Sequence, residues 1–196
     1  MRTISDKLVV RYRYINVEHD WWDCEYDYWT RRLERMGLTD IEINFSGFYS
    51  QGDGASFTAN INSNNMRKFM RIHGLRDRYR GIYEMAKLRT VWGSCTRYSS
   101  HYCHENTVTY ESEMENCYWD DDSDDLRDIM LSELWYQADR DIRDFDEEVQ
   151  EILRGYMQDI YRSLEKVYDD QTSDECVRET LEANEIYDEE ELLEAA

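Results

Sequence analysis

From Asp120 to Asp170 the chain reads DDDSDDLRDIMLSELWYQADRDIRDFDEEVQEILRGYMQDIYRSLEKVYDD. Apolar residues recur in it at steps of three and four, from Leu126 through Phe145 to Val167. That spacing predicts one long amphipathic helix, or two in series. The same stretch holds 18 acidic and six basic side chains, a net charge of −12. We therefore expect a helical rod with one apolar side and one anionic side.

The negative charge of the chain lies almost wholly in its second half. The formal net charge is −21 over 196 residues, of which residues 1–110 contribute +3 and residues 111–196 contribute −24. Such a surface repels nucleic acid and anionic membranes, and it attracts proteins whose working surface is basic. Because 41% of the residues are hydrophobic, the chain can also build a buried core.

Targeting signals are not expected from this sequence. The first six residues are polar, and charges interrupt the apolar residues from Lys7 to Val17, which argues against a signal peptide. No run approaches the roughly 20 apolar residues that a bilayer span needs. The five cysteines form no regular framework, which is typical of a reducing compartment. We expect an intracellular protein with no membrane partner.

The first third of the chain predicts a β-α-β-β unit. Apolar and polar residues first alternate, then follow a helical period, and then alternate again in two segments on either side of a glycine turn. In order, the predicted parts are a strand at Lys7 to Val17, a helix from Asp20 to Met36 that ends at Gly37, a strand at Ile41 to Tyr49, a turn at Ser50 to Gly54 and a strand at Ala55 to Ile61.

The rest of the chain adds a basic helical segment, further strands and acidic helices. The predicted parts are helices from Ser63 to Lys87 with breaks at Gly74 and Gly81, strands at Arg89 to Trp92 and His101 to Glu113, the long helix, a tail helix capped by Ser173 or Asp174, and a last helix from Tyr187-Asp188. The fold class is therefore α+β. A small antiparallel sheet with covering helices occupies residues 1–118, and an acidic helical region occupies residues 119–196.

Two motifs in the first third resemble a known group of proteins. These are Trp21-Trp22-Asp23-Cys24 on the predicted helix and the hairpin run FSGFYSQGDGASF from Phe45 to Phe57. Together they resemble a family of small tailed-phage proteins, provisionally labelled antitoxin-like or antirestriction-like. The resemblance covers about residues 15–60. It implies a bacteriophage gene product in the cytoplasm of an infected host, and it implies no established chemistry.

The basic helical segment has two interpretations. Its cations surround apolar and aromatic residues, a combination that can contact nucleic acid. With so much negative charge elsewhere in the chain, an internal salt-bridge surface facing the acidic half is favoured. The cations are Arg67, Lys68, Arg71, Arg76, Arg78, Arg80 and Lys87.

Catalytic and metal chemistry are disfavoured by the motifs. The Ser50 to Gly54 turn lacks the lysine of a P-loop and has no helix after it, so it is interpreted as a hairpin turn. One cluster has metal-ligand residue types, but its spacing matches no zinc template: Cys95, His101, Cys103, His104 and Cys117. No nucleophile elbow or spaced His and carboxylate pattern is present. We expect no enzyme activity, no cofactor and no metal.

Two functions fit the acidic helices. In the first, the chain imitates nucleic acid and blocks the basic cleft of a host nucleic-acid-binding defence protein, such as a restriction or CRISPR effector. In the second, it is an acidic scaffold or antitoxin-like partner that binds another protein through its apolar helix face. The long apolar stripe also makes a homodimer plausible.

Charge density sets a condition on the first function. A 51-residue helix is about 76 Å long, so its net charge amounts to one per about 6 Å, against one per about 1.7 Å of duplex DNA. Mimicry therefore needs residues 120–196 to fold back into a bundle, or to dimerise. The predicted partner-binding residues are exposed carboxylates: Asp120, Asp121, Asp122, Asp124, Asp125, Asp139, Asp141, Asp144, Asp146, Glu147, Glu148 and Glu151.

Overall fold

The computed structural model of the chain describes residues 3–98, 102–115 and 125–188. Within them the chain forms an α+β fold, as the sequence predicts. The elements in chain order are α1 (Asp6–Arg11), α2 (Asp23–Met36), β1 (Thr39–Phe45), β2 (Ala55–Ile61), α3 (Met66–Ile72), α4 (Arg80–Lys87), β3 (Val91–Arg97), a 3₁₀ turn (Glu105–Thr107), β4 (Val108–Met114), α5 (Leu126–Gln171) and α6 (Asp174–Ala183).

The four strands form one antiparallel sheet in the order β1-β2-β3-β4. Alternation along each strand sends one set of side chains into the core and the other outward. Phe57, Ile61, Val91 and Tyr110 are on the inner side and are all almost completely buried. The sheet therefore has a helix-covered inner face and a polar outer face.

Helices α3 and α4 connect β2 to β3 and bury one side each. Phe69 and Met70 of α3 and Ile82 and Met85 of α4 are fully buried. Helix α4 lies so close to α5 that a Cβ at Gly81 would be 2.8 Å from the backbone nitrogen of Ala138. Gly81 was predicted to break the helix, but it lies inside α4, where its lack of a side chain permits this contact.

Helix α5 is one continuous helix, the first of the two possibilities that its pattern allowed. Its apolar stripe is used inside the fold: Phe145, Val149, Leu153, Met157 and Ile160 are at most 1% exposed. The homodimer prediction assumed that this stripe is too long for the chain itself to cover, and that assumption is wrong for these residues. The apolar residues that stay exposed are at the start of the helix, for example Leu126 and Met130.

The chain divides into two compact units at places other than residue 118. One unit contains Tyr26–Tyr161, which includes the sheet, and the other contains Met1–Glu25 with Arg162–Ala196. Composition changes near residue 118, but a compact unit depends on which apolar faces pack together. Residues of α5 up to Tyr161 belong to the first unit and those from Arg162 belong to the second.

The second unit joins the two ends of the chain. Val9 of α1 packs against Val177 and Leu181 of α6, and all three are buried. The backbone nitrogen and the hydroxyl of Ser5 donate to the Asp188 carboxylate at 2.6 and 2.8 Å. These contacts join residues 168 to 183 positions apart, so the N-terminal segment is fixed by the tail.

The predicted strand at Lys7 to Val17 is wrong, because residues 6–11 are helical. Ser5 caps this helix by accepting a hydrogen bond from the Leu8 backbone nitrogen at 3.3 Å. The sequence alternates, but Val9 packs against the apolar face that Val177 and Leu181 of α6 offer. Tertiary packing therefore overrides the preference of these β-branched and aromatic residues for strands.

Other predictions near chain ends and turns have clear outcomes. Ser173 caps α6, as predicted, and accepts a hydrogen bond from the backbone nitrogen of Cys176. Tyr187 and Asp188 are not helical, and the residues after them lie outside the described part. None of the helices in the described ranges has the length and apolarity that crossing a membrane requires.

Candidate acidic binding surface

The outer face of the sheet is polar and carries acidic side chains but no basic ones. On it, Asn60, Ser94 and Glu111 are directly opposite one another across β2, β3 and β4, and Trp92 is opposite Glu113 in the next row. The outward residues of the four strands, called here the outer sheet face, are Thr39, Asp40, Glu42, Asn44, Thr58, Asn60, Trp92, Ser94, Thr96, Thr109, Glu111 and Glu113. The carboxylates lie on the two edge strands, so they flank a neutral centre.

A hollow of about 480 Å³ on this face surrounds Trp92. Asp40 and Glu113 line it from opposite edges of the sheet, and Trp92 is half-buried. Trp92 makes no aromatic or cation contact with any residue in the described ranges. Carboxylates beside an open indole ring can bind the cationic side chain of a partner, since a cation over tryptophan gains both charge pairing and a cation–π interaction.

Asp40 is held in position by its neighbours. Its carboxylate accepts hydrogen bonds from Asn60 Nδ2 at 3.0 Å and from Thr39 Oγ1 at 3.2 Å. Its φ angle is +53°, in the left-handed region that aspartate tolerates better than most residues. The register of β1 against β2 shifts between Thr39 and Glu42, which places Asp40 in a bulge. Bulges commonly redirect side chains at sheet edges.

The predicted carboxylates of α5 have several different environments. Asp139, Asp144, Glu147 and Glu151 are exposed and Asp141 is half-buried. Asp144 is 3.6 Å from Arg143 and Glu151 is 2.7 Å from Arg154, so both have a neighbouring cation. Asp125 is exposed and accepts a hydrogen bond from the Arg127 backbone nitrogen at 2.9 Å. The predictions for Asp120, Asp121, Asp122 and Asp124 lie outside the described residues.

Asp146 was predicted to be an exposed partner-binding carboxylate, but it is half-buried against the edge of the sheet. It accepts a hydrogen bond from the Ser112 backbone nitrogen at 3.1 Å, and Gln150 accepts one from the Tyr110 backbone nitrogen, also at 3.1 Å. Burial raises the pKa of Asp146, partly offset by the hydrogen bonds from Ser112. Side chains one helical turn apart thus satisfy alternate N–H groups of edge strand β4 and protect that edge.

Glu148 was also predicted to be free, and it is an internal partner of the basic segment. Its carboxylate is 2.5 Å from Arg78 and accepts a hydrogen bond from the Tyr79 hydroxyl at 2.7 Å. Burial and this hydrogen bond raise the pKa of Tyr79 to about 12. Arg78 therefore follows the prediction that the basic segment faces the acidic half. The remaining cations of the segment have no ion pair with α5 among the described residues.

The glycine turn between β1 and β2 is a hairpin turn, as predicted. Asp53 Oδ2 accepts hydrogen bonds from the backbone nitrogens of Tyr49 and Ser50, at 3.0 and 2.6 Å. Gly47 and Gly52 have φ angles of +120° and +93°. Because the Asp53 carboxylate already binds the backbone amides of Tyr49 and Ser50, these two amides are not available to a phosphate.

The Cys and His cluster does not come together as a metal site in the described residues, where no group of three or more metal-ligand side chains is found. Cys95 is buried, and burial raises the pKa of its thiol to about 12. His101 and Cys117 lie outside the described part of the chain.

Sequence reasoning missed the outer sheet face. The sequence did contain a signal for this face. Trp92 lies in one segment predicted as a strand, and Glu111 and Glu113 lie at alternate positions in another. This signal could not be used without knowing the strand order, which decides whether these residues are neighbours.

The chain belongs to the family described as "Domain of unknown function (DUF8835)", whose model matches residues 21–174. Comparison with curated proteins and with solved structures finds no match. The matched range contains the whole sheet and all of α5, so the acidic surface lies inside the region that defines the family.

Proposed function

We propose that this chain is a phage-encoded inhibitor without enzyme activity, which acts in the host cytoplasm by binding the basic nucleic-acid-binding cleft of a host defence protein. The observation that carries the proposal is the outer sheet face. There, Asp40 and Glu113 line the hollow beside Trp92, and Glu42 and Glu111 lie on the same face. No basic side chain lies among the outward residues of the strands. A basic partner meets complementary charge at this face and no repelling charge.

Trp92 gives the surface an anchor. Binding energy at protein interfaces concentrates in a few residues, among which tryptophan and arginine are frequent. An arginine of a nucleic-acid-binding cleft can insert its guanidinium over Trp92 and pair with Asp40 or Glu113. The surrounding carboxylates then act mainly on the association rate and on specificity.

The exposed acids of α5 add negative charge to the chain but are too few to imitate a duplex. Asp144, Glu147 and Glu151 place three carboxylates on about 10 Å of helix, whereas one DNA strand has a phosphate every 3.4 Å or so. Two of the three also have a neighbouring arginine. The fold-back bundle that duplex mimicry requires is not what α6 forms, since α6 packs on α1. The proposal is therefore occupation of a short part of the cleft.

The alternative is an acidic scaffold or antitoxin-like partner that binds through the apolar face of α5. Its support is the exposed apolar end of the helix at Leu126, Ile129 and Met130, because the middle of the stripe is buried. A homodimer through α5 would depend on the same three residues. Sedimentation of the Met130→Glu variant against the wild type tests the homodimer, since a monomer in each case leaves this end without a role in self-association. Capture of host proteins by the same variant tests the scaffold, which requires weaker capture than by the wild type.

The main experiment is a pull-down of host proteins by the full chain, followed by competition with duplex DNA. Trp92→Ala should weaken capture of the partner by tenfold or more, because truncation of a central anchor commonly costs about 2 kcal/mol or more. Glu111→Lys with Glu113→Lys should reduce the association rate and its dependence on salt.

The matched control is Glu165→Lys with Asp169→Lys, which changes the net charge equally at exposed positions of α5 outside the surface. If the control pair loses as much binding as Glu111→Lys with Glu113→Lys, then binding depends only on the net charge of the chain. A partner that binds no nucleic acid, or that stays bound at saturating duplex DNA, would refute the inhibitor proposal.

A further inference from the structure

The segment between β2 and β3 is strongly basic in an otherwise acidic chain. Residues 62–90 contain eight Lys and Arg and two Asp and Glu, a net of +6, against −21 for the whole chain. Phe69 and Met70 of α3 and Ile82 and Met85 of α4 are buried, and most of the cations are on the outside. Apart from Arg78, which pairs with Glu148, these charges are not used to bind the acidic half within the described residues.

Cations of this segment converge on one tyrosine. The ring of Tyr83 has Arg67 Cζ at 5.3 Å, Arg76 Cζ at 5.6 Å and Lys87 Nζ at 5.6 Å from its centroid. Nη2 of Arg67 also donates a hydrogen bond to the Tyr83 hydroxyl at 3.5 Å. Arg71 is one helical turn from Arg67, so it lies on the same face of α3. Tyr83 itself is 6% exposed and supports the cations without being open to a base or ring from outside.

The cluster has little negative charge of its own. Arg71 Nε donates to the Arg67 backbone carbonyl at 3.3 Å, and Arg67 Nε is buried without a partner. Arg76 is 3.6 Å from Asp77, whose side chain is 96% exposed, and Lys87 pairs with Glu84. No carboxylate among the described residues pairs with Arg67 or Arg71. Like charges so close together repel, and a bound anion would offset that cost.

The environment of Tyr83 reports the same positive potential. The hydrogen bond from Arg67 lowers the pKa of the Tyr83 phenol, burial opposes that effect, and the charges of Arg67, Arg71 and Arg76 add to the lowering. Beside Tyr83 lies a hollow of about 400 Å³ lined by Arg76, Asp77, Arg80, Tyr83 and Glu84. Of the three arginines around Tyr83, only Arg76 lines this hollow, so it gives open space on the Arg76 side of the cluster.

We propose that Arg67, Arg71 and Arg76, arranged around Tyr83, form a phosphate-binding site. Arginine suits this ligand because its planar guanidinium donates two parallel hydrogen bonds to phosphate oxygens. The phosphate is either part of a nucleic-acid backbone or a free phosphate or nucleotide. The site is separate from the acidic surface and does not depend on the function proposed for it.

Two probes distinguish the sources of the phosphate. Inorganic phosphate is titrated into the full chain by calorimetry at low salt, and a fluorescent 15-nucleotide single strand is titrated by anisotropy. If the source is nucleic acid, the oligonucleotide binds at least tenfold more tightly than inorganic phosphate, phosphate competes with it, and affinity falls with salt by roughly 0.7 log units per contacted phosphate per log unit of salt. If the source is a free phosphate, the oligonucleotide has no such advantage.

The variant Arg71→Gln with Arg76→Gln tests the site, because both side chains are exposed and their replacement leaves the core intact. Binding of either probe should weaken tenfold or more. The control Arg35→Gln with Arg140→Gln removes the same charge from exposed positions elsewhere and should change affinity less than twofold. Arg71→Lys with Arg76→Lys keeps the charge but loses the paired donors, and it should bind several-fold more weakly than wild type.

Three results would overturn the proposal. The first is no binding of either probe at low salt, and the second is equal weakening by the control pair. The third is competition by a glutamate-rich peptide as strong as that by phosphate, which would identify the cluster as a surface for acidic protein segments, including those of a second copy of this chain.

Discussion

Helix α5 carries carboxylates on two sides, and the two sides differ in what the carboxylates bind. On the side facing the sheet and α4, Asp146 binds the backbone of β4 and Glu148 binds Arg78 and Tyr79. On the side facing away from them, Glu147 is exposed and has no hydrogen-bond or ion-pair partner among the described residues. All of these side chains are carboxylates on the same helix. Their neighbours in the fold therefore decide whether each one supports the fold or remains available for a partner.

The largest difference is expected between a glycine of α4 that packs against the buried side of α5 and a glycine on the exposed side of α5. Gly81→Ala places a Cβ 2.8 Å from the Ala138 backbone nitrogen and 3.0 Å from the Leu134 carbonyl oxygen, so α4 and α5 must separate. We expect a loss of about 1–3 kcal/mol in the free energy of unfolding. Gly155→Ala, on the exposed side of α5, meets nothing within 4 Å and should add about 0.5–1 kcal/mol through helix propensity.

Urea denaturation followed by circular dichroism measures both glycine variants. The comparison requires that Gly81→Ala lowers the free energy of unfolding and that Gly155→Ala raises it. A neutral or stabilising Gly81→Ala would mean that the close contact between α4 and α5 does not exist in solution.

A smaller difference is expected between Glu148→Ala and Glu147→Ala. The first removes the ion pair with Arg78 and one of two acceptors of the Tyr79 hydroxyl, which keeps the Asp144 carbonyl at 3.1 Å. We expect a loss of about 1–2 kcal/mol, because hydrogen bonds to charged groups are the stronger ones. Glu147→Ala should stay within about 0.5 kcal/mol of the wild type, as surface substitutions usually do. Indistinguishable thermal midpoints for the two variants would contradict the assignment of Glu148 to the fold.

The smallest effect concerns the pH dependence of stability at Asp146. Burial raises the pKa of this carboxyl in the folded state, so the folded state binds its proton more tightly than the unfolded state does. The resulting stabilisation is complete below the unfolded pKa of about 3.9 and is lost as the pH rises through the higher folded pKa. Asp146→Asn keeps an oxygen acceptor for the Ser112 N–H and cannot ionise, so it should gain stability relative to the wild type as the pH increases.

Urea midpoints measured from pH 4 to pH 7 test the Asp146 prediction. Asp139→Asn serves as the control, because it removes an exposed carboxylate from the same helix. A constant difference between Asp146→Asn and the wild type over this range would show that Asp146 does not titrate differently in the folded state.

Local signals in the sequence predicted much of the fold. The three-four spacing gave α5, the glycine turn gave the β1-β2 hairpin, and Ser173 marked the start of α6. The strand predicted at Lys7 to Val17 failed because a similar apolar pattern can be buried by a helix, and Val9 packs against α6 at the other end of the chain. Periodicity cannot identify a partner so distant in sequence.

For the candidate surfaces, too, some features follow from local sequence and others only from tertiary packing. The sequence by itself determined that the second half of the chain is acidic, that residues 62–90 are basic, and that α5, α6 and the β1-β2 hairpin form, because these follow from composition, period and capping over a few residues. Only the tertiary structure decided that Asp146 and Glu148 are internal, that Glu113 is opposite Trp92, and that Arg67, Arg71 and Arg76 meet at Tyr83. Each of these depends on burial and hydrogen bonding between elements far apart in the chain, whose positions only the packed core can set.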